Sequence, residues 1–259
     1  MAGLVSRLPT LDVTGKTGIF WLHIKKSAGL STRKMLGDLY HLTDKNMMPT
    51  GFLQAPKAEY NDILNNFRVL LGPYQFRRCL FAQTYLYPDD FDRYFRFAFC
   101  RDPLARCVSQ FRYLWARSDP ARFGAQTSLM TDRLVFGGEP EQDFDRFLAA
   151  IEECRASPSN IKPYGLHFQT HVAAMSDDIC DDAGKPLLDM IFRLEDLLPA
   201  LNMVRVAFDR APIPPDQAAH VNRSRDNGFT PTPAQRGRIR ELFAADYEIY
   251  EGKCWRGFD

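Results

Sequence analysis

The segment from Gly18 to Thr32 limits the fold more than any other part of the chain. It opens with an apolar run, Gly18-Ile19-Phe20-Trp21-Leu22-His23-Ile24, and passes straight into Lys25-Lys26-Ser27-Ala28-Gly29-Leu30-Ser31-Thr32. A short run without polar alternation reads as a strand buried on both faces, the habit of parallel sheets. Residues 29–40 then follow helical spacing, with Leu30, Met35, Leu36 and Leu39 on one side. A strand that turns directly into a helix aims backbone N–H groups and a helix N-terminus at the intervening loop, which suits phosphate-like oxygens. Lys26 adds a point charge, Ser27, Ser31 and Thr32 add hydroxyl donors, and Gly29 permits close backbone approach. On these residues alone, a solvated turn with two surface lysines is an equal reading.

The alternation continues along the chain. Strands are expected at 79–86, 95–100 and 188–193, and helices at 103–116, 141–155, 195–208 and 233–250. Such a pattern makes an α/β fold of three layers, with a central, mostly parallel sheet flanked by helices. Residues 1–259 are expected to form a single domain, with about 117–165 as a variable helical and loop insertion.

Composition excludes several functions. Lys and Arg number 33 against 32 Asp and Glu, a net charge of +1. That balance gives no broad surface for nucleic acid or an anionic membrane, so an anion site must be local. The charge is unevenly spread. Residues 23–37 hold four cations and no acid, 101–117 four arginines and one acid, and 220–225 two arginines and no acid. No window approaches the ~18 apolar residues of a membrane span. The opening MAGLVSRLPTLDVTGK lacks the pattern of a signal peptide. The six cysteines show neither a C-x-x-C pair nor metal-ligand spacing, and read as reduced core residues of a cytoplasmic protein.

A second chemical signal lies at Phe97-Ala98-Phe99-Cys100-Arg101-Asp102-Pro103, followed by Arg106 and Ser109. Arg101 closes an expected strand, where ligands of open α/β sheets bind. Ser109 stands eight residues on, slightly over two helical turns, so both side chains can reach one anion beside the helix start. The competing reading is an Arg101–Asp102 surface ion pair. Gly15-Lys16-Thr17 imitates the end of an ATP-type phosphate loop. However, Thr10 occupies the place of that motif's first glycine, and the triplet precedes the strand, so a polar turn is expected there.

Together the two segments resemble the sulfotransferase family that uses 3′-phosphoadenosine 5′-phosphosulfate (PAPS). Members carry a strand, a loop of the form H-I-P-K-T-G-G-T-S and a helix, then a second strand ending in R-D-P with a serine eight residues after the arginine. The resemblance implies a P-loop-like sulfotransferase fold. It also implies PAPS as donor, 3′,5′-ADP as product, and a donor site formed by residues 25–32 (Lys25, Lys26, Ser27, Ala28, Gly29, Leu30, Ser31 and Thr32) with Arg101 and Ser109 on the 3′-phosphate. Leu166-His167-Phe168-Gln169-Thr170, Phe192-Arg193-Leu194-Glu195-Asp196-Leu197 and Val221-Asn222-Arg223-Ser224 are similar to segments of the carbohydrate branch. That similarity adds Arg223 and Ser224 to the donor site and implies a saccharide or glycoconjugate hydroxyl as acceptor. Three loop positions depart from the pattern: Lys25 stands for Pro, Ala28 for Gly and Leu30 for Thr.

Family members often end the second expected strand in Gly-His, and that histidine serves as base. Here Gln83 takes the place and cannot accept a proton at useful pH. The resemblance leaves Lys26 to stabilise the leaving phosphate, while the base must come from elsewhere. His23 belongs to the strand and His41 ends a helix, while His220 adjoins the late loop. His167 and His171 are four apart and share a face if helical, which makes them the favoured candidates. Asp89 and Asp90 are the carboxylate alternative, or else a cap for residues 91–95. Tyr85, Tyr87, Tyr113 and Trp115 lie near the expected site, although most aromatics are core. No metal is called for. The other readings are a PAPS-binding protein without catalysis, motivated by Gln83, and a P-loop small-molecule kinase.

Overall fold

The apolar runs at 18–24, 95–100 and 188–193 pair into one sheet. In the computed structural model, which describes residues 10–43, 52–66, 69–117, 134, 136–157, 164–218 and 229–255, they form β1 (Gly18–Leu22), β2 (Tyr94–Cys100) and β3 (Met190–Arg193). The order is β1–β2–β3 and every pairing is parallel, with Leu22 beside Ala98 and Cys100 beside Arg193. Trp255 extends the pattern by one bridge beside Phe192, donating its N–H to Ile191 O at 2.8 Å.

Among the described residues the helices are α1 (Gly29–Leu36), α2 (Tyr60–Leu64), α3 (Arg78–Phe81), α4 (Pro103–Arg117), α5 (Pro140–Ala156), α6 (Gly165–Val172), α7 (Met175–Ile179), α8 (Leu197–Ala207), α9 (Pro233–Leu242) and α10 (Ala244–Gly252). Alternate strand residues face opposite layers. Phe20, Leu22, Ala98 and Ile191 pack with Cys79 of α3, Met175 of α7 and Ile249 of α10. Ile19, Trp21, Phe97 and Phe192 pack with Met35 of α1 and Leu201 and Val204 of α8. The three-layer α/β fold follows from this division. Burial on both faces is also why the strands show no polar alternation, each such apolar side chain contributing roughly 1.5–3 kcal/mol. A further core stands beside the sheet, where Cys107, Phe111 and Leu114 of α4 meet Phe144, Phe147 and Ile151 of α5, Phe168 of α6 and Ile239 of α9.

Several expectations are corrected. Residues 79–86 are not a strand: α3 continues into a wider π turn at Ala82–Leu86. Cys79, Ala82 and Leu86 are buried at helical spacing, whereas Tyr85, which a doubly buried strand would enclose, is 56% exposed. Gln83 therefore ends no strand, and the argument that it displaces a catalytic histidine loses its premise. The single helix expected at 233–250 breaks at Phe243, buried between α9 and α10. Asp90 precedes a 3₁₀ turn, Phe91–Arg93, without capping it through its side chain, and binds Lys57 at 2.8 Å instead.

β1 lies at the edge of the sheet, and Asn61 of α2 and Asn65 just past its end satisfy it. Asn61 exchanges hydrogen bonds with Trp21, accepting from its N–H at 2.9 Å and donating to its carbonyl at 3.0 Å. Asn65 accepts from His23 N–H at 2.7 Å and donates to Trp21 O at 2.7 Å and to the Tyr40 hydroxyl at 2.9 Å. One turn of helix thus performs the work of a further strand, and it bends the chain out of β1 at His23.

Among the cysteines, Cys79, Cys107, Cys154 and Cys180 are free and buried. Cys100 and Cys254 meet sulfur to sulfur with Cα atoms 7.5 Å apart, wider than a relaxed disulfide spans.

Candidate active site

The loop after β1 has an unusual backbone. Lys26 (φ 68°) and Ala28 (φ 54°) both occupy the left-handed region, with Ser27 between them outside it. Alternating handedness turns successive N–H groups to one side, the concave arrangement that accepts anions. Ala28 then stands at the N-terminus of α1 with no side-chain cap on the first turn. The Ser27 hydroxyl is buried and has no hydrogen-bond partner. Gly29 is obligatory for a steric reason, because a Cβ at this position would overlap the His23 ring. That ring in turn stacks on Trp21 at 5.4 Å.

The remaining loop side chains divide. Lys25 is buried, donating to Asn65 O at 2.8 Å and lying 3.3 Å from His23 Nδ1. Lys26 places its ammonium 4.3 Å from the centre of the Tyr113 ring. Thr32 turns back on the helix, donating to Ala28 O at 3.1 Å. Ser31 is buried, and Leu30, in place of the usual threonine, is exposed.

Arg101 leaves the end of β2, so it emerges at the same edge of the sheet as the loop after β1. It is half-buried. Burial lowers its pKa and so does Arg112, against the opposing pull of Glu195 and Asp102. Asp102 spends its carboxylate on α4, accepting from Ala105 N–H at 2.8 Å, so helix capping accounts for the residue read alternatively as a surface partner of Arg101. Ser109 is buried two turns along α4.

A polar stripe on α4 runs opposite its apolar one and joins the loop to α6. Arg106, buried, donates to Lys25 O at 3.2 Å and to Ala173 O at 2.5 Å, and pairs with Asp246 of α10 at 3.3 Å. One turn on, Gln110 donates to His171 O at 2.6 Å. Tyr113 follows, its ring stacked on His171 at 4.9 Å and 5.9 Å from His167. The two histidines are helical neighbours, both buried, with ring centres 4.3 Å apart and His171 Nδ1 2.8 Å from His167 O. Burial above all, then the neighbouring His167, Lys25 and Lys26, holds the His171 pKa well below its ordinary 6.5, although its bond to the His167 carbonyl acts the other way.

The structure therefore brings Lys26, His167 and His171 around one aromatic ring. Of the other histidines, His23 lies under Gly29 and His41 is exposed, while His220 falls outside the described residues. Arg223 and Ser224 also fall outside them. Trp115 donates its indole N–H to Asp143 at 3.0 Å and Tyr87 is buried. Lys16 of the imitation phosphate loop bonds Asp92 O, Tyr94 O and Asp189, as a polar turn would. The roles of Gln110 and Arg106 as connectors were not read from sequence. The available signal was the spacing of 106, 110 and 113 on the face of α4 away from Leu104, Cys107, Phe111 and Leu114.

A parallel sheet with an anion-shaped loop and an arginine at one edge is the architecture of α/β proteins that take ligands at the carboxyl ends of their strands. A model of the sulfotransferase family matches residues 9–251, and the chain belongs to that family. It is thus a transferase of the sulfuryl-transfer class. No curated protein and no solved structure gives a significant match.

Proposed function

We propose that the protein moves the sulfuryl group of PAPS to a hydroxyl of a saccharide or glycoconjugate. The observation that carries this reading is the array of Lys26, Tyr113, His171 and His167, a cation and two imidazoles gathered at the mouth of an anion-shaped loop. The donor fits the residues present. The Ser27 hydroxyl, buried without a hydrogen-bond partner, and the start of α1, which no side chain caps, are donors that a phosphate would engage.

When bound, PAPS supplies an activated sulfuryl group and a stable nucleotide leaving group. Lys26 places positive charge where negative charge develops on the leaving phosphate, as preorganised cations do in phosphoryl transfer. Ser27, Gly29 and the N-terminus of α1 hold the same phosphate through donors fixed before binding. Lys25 acts through its backbone, since its ammonium is engaged with Asn65 O. Arg101 and Ser109 hold the 3′-phosphate, the arginine by its two-pronged fork. His167 or His171 is the group that takes the acceptor's proton, each presenting an imidazole beside the Tyr113 ring. The saccharide preference rests on the three segments that resemble the carbohydrate branch.

A thermal-shift panel tests the reading. The unfolding midpoint should rise with 3′,5′-ADP and stay unmoved with Mg-ATP, and Lys26→Ala and Arg101→Ala should each abolish the rise. Incubation with PAPS and an oligosaccharide panel should then release 3′,5′-ADP in proportion to acceptor. Stabilisation by Mg-ATP alone would replace this reading with a kinase.

A further inference from the structure

We propose that Tyr113 is a positioning residue whose ring holds the Lys26 ammonium and the His171 imidazole in one fixed relation, an inference that rests on the roles proposed above for those two groups. The distances are those of direct contact: 4.3 Å from Lys26 Nζ to the ring centre, and 4.9 Å between ring centres with the planes 15° apart for His171. An ammonium over an aromatic face and two near-parallel rings are both attractive arrangements. The ring is itself held rigidly. It projects from α4 less than one turn beyond Gln110, which grips the His171 carbonyl, and two turns beyond Arg106, which grips Lys25 O and the end of α6. A single face of α4 thus touches the loop through Arg106 and Tyr113, and α6 or its end through Arg106, Gln110 and Tyr113.

These contacts use the aromatic face and not the hydroxyl. The role therefore needs a ring, whereas simple space-filling would need only volume. The titratable and charged groups facing His171 are His167 from its own helix, Lys25 and Lys26 from the loop, and Tyr113 from α4. Removing the ring admits water beside His171 and relaxes the burial that holds its pKa down, so that value should rise. It also frees the Lys26 side chain, so the donor nucleotide should bind a less ordered site.

The experiment compares the parent, Tyr113→Phe and Tyr113→Leu. It uses calorimetric titration with 3′,5′-ADP, histidine-labelled NMR titration of His171, and thermal unfolding. Tyr113→Phe, which keeps the ring, should match the parent in 3′,5′-ADP affinity and in the His171 titration. Tyr113→Leu should bind 3′,5′-ADP about fivefold more weakly. In the same variant the His171 titration should move to higher pH while the unfolding midpoint shows that the chain is folded. An unchanged affinity or an unchanged His171 titration in Tyr113→Leu overturns the proposal, as does a Tyr113→Phe variant that behaves like Tyr113→Leu. If Tyr113→Leu does not fold, Tyr113→Met replaces it with the same expectations. A parent that binds no 3′,5′-ADP overturns the proposed function and this inference with it. A parent that binds while Tyr113→Leu equals it overturns this inference alone.

Discussion

At the scale of single residues, the loop after β1 shows how tightly one position can be specified. Gly29 lies under the His23 ring, and no side chain fits between them. Gly29→Ala should cost roughly 1–3 kcal/mol in urea unfolding, the range for forced overpacking. The same change made in a His23→Ala background should cost less, because the obstructing ring is gone. Equal costs in both backgrounds would mean that the ring is not the obstacle. Lys26, Gly29, Arg101 and Ser109 could be singled out as candidates from the sequence because each belongs to a short segment with fixed spacing. The partners of Arg106 were not. Lys25 is 81 residues from it and Asp246 is 140, and local spacing carries no information across such separations.

At the scale of elements, β1, β2 and β3 could be read because burial on both faces leaves an uninterrupted apolar run. The same logic failed at 79–86. Cys79-Leu80-Phe81-Ala82 is equally apolar, and a short apolar run does not distinguish a strand from a buried helical turn. What decides is Arg78, whose guanidinium lies buried against Asp178 at 2.6 Å and reaches His23 O at 3.1 Å. Asn61 and Asn65 were also missed, since nothing in Tyr60-Asn61-Asp62-Ile63-Leu64-Asn65 announces that a helix will cap a sheet edge. Asn65→Ala takes the acceptor from the part-buried His23 N–H and one donor each from the Tyr40 hydroxyl and from Trp21 O, to which Asn61 still donates. It should lower stability by roughly 2–4 kcal/mol, more than an ordinary polar truncation, as measured by chemical denaturation. A loss below about 1 kcal/mol would show that water replaces the side chain without difficulty.

At the scale of the whole molecule, the cations gathered near the two segments divide. Arg33 is bound to Asp62 at 2.5 Å and Arg106 to Asp246, so part of the local excess holds helices in place. Of the others, Lys26 lies against the Tyr113 ring and Arg101 follows the end of β2. Burial of His171 gives the folded chain a pH dependence. Below its ordinary value of 6.5 the unfolded chain takes up a proton that the folded chain refuses, so this group's contribution is complete above that pH and is lost as pH falls from there. Stability measured at pH 7.5, 6.5 and 5.5 should therefore decline with acid by up to about 1.4 kcal/mol per unit from this group. His171→Asn should flatten that decline, and an unchanged slope in the variant would remove His171 as its source.

Arg106 has a consequence for how such a chain comes into being. Its guanidinium is set by a carboxylate, Asp246, that leaves the ribosome long after the loop and the arginine segment have emerged. Until then Arg106 has no carboxylate to accompany it into the interior, and burying a charge without one is costly. Burial of Arg106 between the loop after β1 and the end of α6 should therefore wait for α10, and the proposed donor site with it. A fragment arrested before α10 should bind no nucleotide, however complete its loops.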